Sequence, residues 1–544
     1  MMKHTRSLAV FLALALSLGI FSGCSGASSA PSSAPASAAS ETTSISNQEF
    51  SYPMSDGDPI SYWMELNSNI SANFASMEDT PYAQGLMERT GITIDYEHPP
   101  AGQASEQFGL IVADGNMPDI IEYDFLSGYS GGPEKAIKDG VILELSDIID
   151  QYCPNLKAYL EANPDVDKMI KTDSGNYYTF PMIRGNEELC TFLGLYIRDD
   201  LLTEYNLEMP STLEDWHTVL TTFKENGIEY PLTTGFARED IRDSNPFVFA
   251  AGVGINFYLG DDGQVHYGPA EENYKTYLST FAQWYSEGLI DPDFASLNLD
   301  QVSSKMTTGT SAVTWGYVGS NLGAWIPAGR ETNPDYSLSA APFVAEEKGS
   351  TPEYGYTTSK FGGYGASITT SCKDVERAAR LLDYLYSEEG ALYTNFGEEG
   401  VSYTMSGSEP VYTDLILNNP DGWSVGQAMS AYCTAPINAP HVQDARYLAQ
   451  YYVLPQQQNA PATFAATNAS AHALPPISPT PEESSEYNSI MNEIKTYQDE
   501  MEIKFILGTE SLDNFDAYVE TLQKMGLDRA LEIQNAALER YNAR

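Results

Sequence analysis

The sequence predicts an α/β protein with two large lobes, and three observations support this prediction. Strand and helix candidates alternate along the first folded part of the chain, which is typical of a parallel sheet covered by helices. About 490 residues follow an N-terminal low-complexity segment, too many for one ordinary hydrophobic core. The chain has no internal repeat of roughly 20 to 50 residues, which argues against solenoids and propellers.

The first elements of this alternation can be placed from residue patterns. Short runs rich in isoleucine and aromatic residues predict strands, and apolar residues at helical spacing predict helices. Gly91 suits the end of a helix because glycine readily takes the left-handed conformation found there. The strands are predicted over residues 60–66, 92–96 and 119–123, with helices over 81–90 and through Phe108, Ile111 and Val112.

Later elements follow from capping and periodicity. The spacing of Ser211 and Glu214 predicts a capping box at the start of a helix. Two further strands are predicted over residues 312–315 and 364–368. The chain is predicted to be helical from residue 480 onward, with an apolar stripe that is expected to be a packing face. The stripe consists of Ile490, Ile494, Tyr497, Met501 and Phe505.

The N-terminus has the layout of a secretory signal. Lys3 and Arg6 precede an apolar run over residues 8–21, and small residues follow before Cys24. A membrane-spanning helix needs roughly 20 apolar residues, and this run is shorter and interrupted. Residues 1–23 are therefore predicted to be a cleaved signal peptide, with an uncleaved anchor as the alternative.

Residues 21–24, which read FSGC, resemble the lipobox of bacterial lipoproteins, in which the signal is cut before a cysteine that then receives lipid. This resemblance implies a lipidated Cys24 and a membrane anchor, and the alternative is an ordinary secreted protein cut nearby. Residues 24–57 are rich in Ser, Ala and Pro, show no apolar periodicity and are predicted to form a disordered tether.

The charge of the chain limits its partners. Asp and Glu number 75 against 28 Lys and Arg, which gives a formal net charge of -47. Such a chain repels phosphate backbones, and no basic patch interrupts the trend. The composition therefore argues against nucleic acid as a partner and favours solubility outside the cell.

The cysteines and histidines show no metal-binding pattern. Apart from Cys24, the chain contains Cys153, Cys190, Cys372 and Cys433, which are far apart and form no CxxC pair. An oxidising compartment would permit disulfides among them, but free buried thiols are the favoured prediction. The six His residues also lack metal-ligand spacing, so neither a metal nor a cofactor is predicted.

Two features of the sequence are also found in catalytic sites. Residues 128–132 read GYSGG and match the nucleophile elbow of hydrolases, but the third strand is predicted to end near Tyr123, and Pro133 suits a plain loop entering a helix. Paired carboxylates for glycoside hydrolysis occur by chance among 75 acidic residues. An enzyme is therefore not predicted, and a polysaccharide-acting lipoprotein enzyme remains the alternative.

Several short segments, in the same order along the chain, resemble the family 1 extracellular solute-binding proteins. Each match is short, but their order is specific, and the resemblance extends over nearly all of residues 58–544. The matching segments are 90–99 (TGITIDYEHP), 115–121 (GNMPDII), the hinge-crossing pair Phe180 and Pro181, 200–202 (DLL), 210–212 (PST), 305–313 (KMTTGTSAV) and 387–390 (SEEG).

The resemblance implies a two-lobed periplasmic-binding-protein fold with a hinge and a ligand cleft between the lobes. The first lobe is expected to comprise residues 58–180 plus about 305–360, and the second 181–304 plus about 361–480. Residues 481–544 are expected to be helices packed on the lobes.

The resemblance also implies a function. The chain is expected to capture a carbohydrate, in particular an oligosaccharide, and to deliver it to the transmembrane subunits of an ABC importer. It is expected to work as a monomer on the extracytoplasmic face of the membrane.

Candidate ligand-binding residues were chosen from the chemistry of sugars and from strand ends. Sugars present C–H faces that stack on aromatic rings, and hydroxyls that need a few polar partners. Rings are also the usual material of hydrophobic cores, so position at a strand end decides among them. The candidates are Glu65, Asn67, Tyr123, Asp124, Arg198, Trp315, Tyr317 and Trp423.

Four candidates lie at or just after the ends of predicted strands of the first lobe. Glu65 and Asn67 fall where the first loop of the family meets sugar hydroxyls. Tyr123 and Asp124 end the third strand, where relatives place a Trp and polar ligand contacts. The resemblance, together with the rule that ligands bind at the carboxyl ends of parallel strands, supports these choices.

The other four candidates rest on different arguments. Trp315 and Tyr317 replace an aromatic-rich stretch of the family. Arg198 stands where relatives often carry a polar residue facing the cleft, and a salt bridge with a neighbouring acid is the alternative. Trp423 is an aromatic residue in a loop and is expected at the rim.

Overall fold

Two sheets organise the part of the chain that the computed structural model describes, residues 50–54 and 57–544. Residues Tyr52–Arg544 form one compact unit. The predicted signal peptide, Cys24 and most of the predicted tether lie outside the described residues.

Fourteen strands occur in the described residues. They are β1 (Ile60–Trp63), β2 (Ile94–Glu97), β3 (Ile120–Asp124), β4 (Phe180–Arg184), β5 (Leu193–Arg198), β6 (Tyr230–Leu232), β7 (Phe257–Leu259), β8 (Val265–Tyr267), β9 (Ser311–Tyr317), β10 (Leu338–Ala340), β11 (Tyr364–Ile368), β12 (Tyr403–Ser406), β13 (Glu409–Tyr412) and β14 (His441–Gln443).

The same residues contain twenty-two α-helices. They are α1 (Ser68–Ser71), α2 (Pro81–Thr90), α3 (Ala104–Asp114), α4 (Gly132–Lys138), α5 (Ser146–Tyr152), α6 (Pro154–Ala162), α7 (Pro164–Met169), α8 (Asp199–Glu204), α9 (Leu213–Glu225), α10 (Glu239–Arg242), α11 (Tyr274–Ser286), α12 (Leu299–Thr307), α13 (Gly323–Arg330), α14 (Val375–Tyr384), α15 (Glu388–Phe396), α16 (Asp414–Leu417), α17 (Val425–Tyr432), α18 (Leu448–Tyr451), α19 (Pro455–Ala465), α20 (Ser484–Ile506), α21 (Phe515–Met525) and α22 (Leu527–Ala543).

The first sheet has the strand order β14-β4-β11-β3-β1-β2. β1 pairs in parallel with both β2 and β3, as the alternation of strands and helices predicts. β11 runs antiparallel to β3 and β4, and β14 runs parallel to β4. The carboxyl ends of β1, β3, β4 and β14 therefore lie along one edge of the sheet.

The second sheet has the strand order β10-β5-β9-β6. β5 runs antiparallel to β9 and β10, and β6 runs parallel to β9. The chain passes from the first sheet to the second between β4 and β5 and returns between β10 and β11. It crosses once more after β14, because α19 packs against β10.

The strand pairing corrects the predicted course of the chain through the lobes. Residues 305–360 were expected in the first lobe, but they contain β9 and β10, which pair in the second sheet. Residues 361–480 were expected in the second lobe, yet they contain β11 and β14 of the first sheet. Local patterns predict that a strand exists but not its partner, because pairing depends on residues far away in sequence.

The local signals at helix ends agree with the structure, with one shift. α2 has the predicted bounds, and Gly91 follows it with φ 69°. The capping box of α9 uses Thr212 and Asp215 instead of Ser211 and Glu214. Asp215 also accepts a hydrogen bond from the Ser211 hydroxyl, so one carboxylate serves both candidate caps.

The C-terminal helices pack mainly on the second lobe. Ile494, Met501 and Phe505 of the predicted stripe are buried in the same core as Trp315. The end of α22 reaches the first lobe, where Arg540 pairs with Asp173, in the segment between α7 and β4, at 2.5 Å.

The described residues contain four of the five cysteines of the chain. Their four cysteines are free thiols, and Cys153, Cys190 and Cys433 are buried. This confirms the prediction of free thiols and corrects it for Cys372, which is only partly buried. In this part of the chain, no helix combines the length and apolar character needed to cross a membrane.

Candidate functional site

A cavity of about 600 Å³ lies between the two lobes. The first lobe lines it with Arg184 at the end of β4, Gln443 at the end of β14 and residues 67–69 after β1. The second lobe contributes Tyr317 at the end of β9. The volume lies within the roughly 300–1,000 Å³ that is usual for small-molecule sites.

Five aromatic residues are among those that line the cavity. The rings of Phe192 and Tyr317 are stacked, with centroids 6.1 Å apart and an interplanar angle of 16°. Phe192 belongs to the segment that crosses from β4 to β5. On the segment that crosses after β14, Tyr451 lies between Tyr447 and Tyr452, with centroid distances of 6.2 and 5.6 Å.

Polar side chains alternate with these rings. Amides and hydroxyls can donate and accept hydrogen bonds, so they suit a ligand that is rich in hydroxyl groups. The polar lining consists of Asn67, Ser68, Asn69, Arg184, Glu188, Arg238, Asp300, Ser303, Ser320, Asn321, Asn438 and Gln443.

One hydrogen-bonded group fixes the ring of Tyr317. The Tyr317 hydroxyl donates to Asp240 Oδ2 at 2.5 Å, and Arg238 Nε donates to Asp240 Oδ1 at 2.6 Å. Burial acts to raise the pKa of Asp240, but these two hydrogen bonds outweigh it and hold the pKa below its ordinary value. Burial and the bond to Asp240 raise the pKa of Tyr317, so the ring remains a neutral phenol.

The structure brings two of the eight candidate residues to this cavity, Asn67 and Tyr317. Asn67 also caps α1, because its side-chain oxygen accepts a hydrogen bond from the Asn69 amide at 2.9 Å. Its amide nitrogen remains available to a ligand.

Tyr123 and Asp124, the candidates at the end of β3, contact residues outside the cavity lining. The Tyr123 ring stacks on Phe108 with centroids 4.1 Å apart. Asp124 accepts hydrogen bonds from the amides of Leu126 at 2.8 Å and Ser127 at 3.1 Å, and from the Ser127 hydroxyl. Asp124 therefore holds its own loop in shape, outside the residues that line the cavity.

Arg198 and Trp315 lie in the interior of the second lobe. Arg198 makes a two-pronged ion pair with Asp200 at 2.7 and 2.6 Å, and its guanidinium lies 4.2 Å from the centre of the Tyr336 ring. Trp315 is 1% exposed and donates its indole N–H to the carbonyl of Ile241 at 2.7 Å. The structure thus corrects their expected place at the cleft, since both side chains are buried and already have partners within the second lobe.

The two remaining candidates also lie outside the cavity lining. Glu65 is exposed, and its carboxylate accepts a hydrogen bond from the Gly102 amide at 3.4 Å. Trp423 is partly buried, with its ring edge-to-face against Phe74 at 5.6 Å.

Sequence reasoning missed Arg184, Phe192 and the tyrosines from 447 to 452. Arg184 comes three residues after Pro181, at the predicted hinge crossing, so the rule of strand ends would have selected it. The tyrosines lie on and directly beside the short helix α18, and no local pattern separates them from core residues.

The GYSGG segment forms a loop that leads into α4, which begins at Gly132. Among the described residues, the Ser130 hydroxyl has a hydrogen bond from Asn488 at 3.4 Å and none from a histidine. This arrangement lacks the base that a nucleophile elbow requires.

Comparison with known proteins agrees with this architecture. The substrate-binding protein FusA of a fructooligosaccharide ABC transporter from Streptococcus pneumoniae is 28% identical over 332 residues, which is 58% of this chain and 59% of FusA. The lipoprotein LipO of Bacillus subtilis is 25% identical over 63% of this chain and 67% of LipO. The chain therefore matches about three fifths to two thirds of the length of these relatives.

Among solved structures, the alginate-binding protein AlgQ2 without calcium ion has a TM-score of 0.73 at 22% identity, over 90% of this chain and 100% of AlgQ2. That likeness shows the two-lobed fold. The sequence profile of the bacterial extracellular solute-binding proteins matches residues 75–392, more than half of the chain. The protein therefore belongs to the family of bacterial extracellular solute-binding proteins.

Proposed function

We propose that this chain captures an oligosaccharide in the cavity between its lobes and delivers it to an ABC importer. The observation that carries the proposal is the lining of the cavity, in which stacked rings such as Phe192 and Tyr317 alternate with amides, hydroxyls and charged groups. Sugar rings need both an apolar surface for their C–H faces and polar partners for their hydroxyls.

The position of the cavity supports a binding role that is coupled to hinge motion. Arg184 and Gln443 belong to one lobe and Tyr317 to the other, so a bound solute contacts both. Contacts that form only when the lobes approach favour the closed state. The closed complex then differs in shape from the empty protein, and the importer can bind the two forms differently.

The names of the relatives point the same way. FusA is a fructooligosaccharide ABC transporter substrate-binding protein, and AlgQ2 is an alginate-binding protein. For this chain, the ligand class and the importer are inferences from those proteins and from the cavity.

The test of ligand class is a thermal-shift screen of the full chain against mono- and oligosaccharides. A ligand present at 100 times its Kd adds about 2.7 kcal/mol of stability, which raises the melting temperature measurably. We expect oligosaccharides to raise it more than their component monosaccharides, because a larger cavity surface is covered. A panel of varied linkages that gives no shift would contradict the proposal.

We also propose that the protein is a lipoprotein, held at the extracytoplasmic face of the membrane through lipid on Cys24. The order of basic, apolar and small residues before Cys24 supports this, as does the lipoprotein LipO among the relatives. Cys24→Ala should release the protein from membranes into the medium. The matched control Cys372→Ala should remain membrane-bound, and equal retention of both variants would refute the anchor.

A further inference from the structure

Arg184 occupies a distinctive place in the cavity. It is the last residue of β4, and its guanidinium lies 5.4 Å from the centre of the Phe192 ring, the ring that stacks on Tyr317. One of its N–H groups donates to the carbonyl of Ser359 at 3.3 Å. A guanidinium has five N–H donors, so most of them remain for a ligand.

Arg184 also differs from the other arginines in its lack of a carboxylate partner. Twelve arginines lie in the described part of the chain, and ten of them have a carboxylate oxygen within 4.0 Å. The other two are Arg184 and Arg330. Arg330 donates to the carbonyl of Tyr336 at 3.0 Å and lies outside the cavity lining.

This difference stands out in so acidic a chain. With 75 acidic residues against 28 basic ones, a carboxylate partner for an arginine is easy to supply. The other arginine of the cavity, Arg238, has such a partner in Asp240 at 2.6 Å. The cleft thus contains Arg238, whose charge is paired with Asp240, and Arg184, which lies beside the Phe192 ring without a carboxylate partner.

We propose that Arg184 binds a carboxylate of the solute, so that the solute is an acidic oligosaccharide with a uronate-type sugar. The planar fork of a guanidinium matches the two oxygens of a carboxylate, and the paired hydrogen bonds are charge-assisted. The neighbouring Phe192 and Tyr317 rings offer the sugar face a stacking surface. This inference rests on the proposed function and narrows its ligand class.

Two negative charges of the lining oppose this binding only weakly. Glu188 and Asp300 are both exposed, so water and salt screen them. The repulsion from distant surface acids fades over about 8 Å at physiological ionic strength, whereas a contact ion pair inside a cleft is screened much less. The direct pair with Arg184 therefore dominates.

The test is calorimetry on the full chain with uronate trisaccharides of several linkages and their methyl esters. The ester keeps the ring and the linkage but removes the charge. We expect at least one uronate to bind tenfold or more tightly than its ester, Arg184→Gln to abolish that preference, and Arg184→Lys to retain part of it. Arg330→Gln, the same change outside the cavity, should leave both affinities unaltered, and each variant is first shown to be folded by its melting temperature.

The outcomes separate this inference from the proposed function. Equal binding of acid and ester, a tighter neutral oligosaccharide, or an undiminished preference in Arg184→Gln would each overturn the role of Arg184 while leaving oligosaccharide capture intact. Failure of every acidic and neutral saccharide to bind would overturn both.

Discussion

The end of β3 and the ends of β4 and β9 look alike in the sequence, yet they differ in what their side chains are free to do. At β3, Asp124 has its carboxylate bonded within its own loop, and the Tyr123 ring is covered by Phe108. At β4, Arg184 keeps most of its donors and faces the cavity, which Tyr317 of β9 lines from the other lobe.

Under the proposed function, a strand end contributes to binding where it still presents side-chain surface to the cavity, as Tyr317 does although its hydroxyl is bonded to Asp240. A hydrogen bond within the protein uses a donor or acceptor that a ligand could otherwise meet. The same principle explains why Trp315 and Tyr317, two residues apart on β9, have different roles. Trp315 is covered within the core, while Tyr317 ends the strand beside the cleft.

The largest expected effect concerns Trp315, the buried residue two positions before Tyr317 on β9. Trp315→Ala should lower the free energy of unfolding by about 3–5 kcal/mol, because it removes a fully buried ring from a packed core. Affinity for the solute should stay within about twofold in the folded fraction, since Trp315 lies outside the cavity lining. Denaturant unfolding and calorimetry measure the two quantities.

Trp423→Ala is the matched control for this prediction. The Trp423 ring is only partly buried, so the loss of stability should be smaller. A Trp315→Ala variant that keeps its stability but loses affinity for the solute would show that Trp315 belongs to the cleft and not to the core.

A second expected effect concerns the interior position of β3. The Glu122 carboxylate accepts hydrogen bonds from Tyr62 at 2.7 Å and Tyr364 at 3.1 Å. Burial raises its pKa from 4.5 to about 7, although these bonds oppose the shift. The folded state therefore holds the Glu122 proton more tightly than the unfolded state does. The protonated carboxyl contributes its full stabilisation below pH 4.5, and this contribution is lost as the pH rises through about 7.

The loss at Glu122 should amount to roughly 3 kcal/mol, since each unit of pKa shift corresponds to about 1.4 kcal/mol. Burial also raises the pKa of Glu502 to about 7, so this group contributes in the same pH window. Glu122→Gln should remove about half of the drop, as measured by urea unfolding between pH 5 and 8. An unaltered pH profile would show that Glu122 stays ionised in the folded protein.

The smallest effect is expected at Asp124. Asp124→Ala should cost about 1 kcal/mol of stability, because two loop amides and a hydroxyl lose their acceptor on a partly exposed turn. Asp124→Asn keeps one acceptor oxygen and should cost less. A tenfold loss of solute affinity in Asp124→Ala would instead place this carboxylate at the ligand.

Local structure was predictable where a few neighbouring residues decide it. The bounds of α2 and β11 follow from Gly91 and from the pattern of residues 364–368. The lobe to which β9 belongs was not predictable, because it depends on pairing with β5, more than 100 residues earlier. Sequence patterns thus identified the elements but not all of their partners.

The candidate site was predictable only in part. Asn67 and Tyr317 were identified from strand ends and from the resemblance to the family. Arg198 does not reach the cleft because it is buried in the second lobe, where it pairs with Asp200 and lies over the Tyr336 ring. Arg184 was missed because no strand was predicted over residues 180–184, so the rule of strand ends was not applied there.

The most direct test of the account compares one ring from each strand end. Tyr317→Ala and Tyr123→Ala remove the same side chain, and calorimetry with an oligosaccharide identified by the thermal-shift screen measures the affinity of each. We predict that Tyr317→Ala weakens binding tenfold to a hundredfold, about 1.4–2.8 kcal/mol, while Tyr123→Ala binds as wild type. Wild-type affinity in Tyr317→Ala together with a large loss in Tyr123→Ala would contradict the assignment of the solute to this cavity.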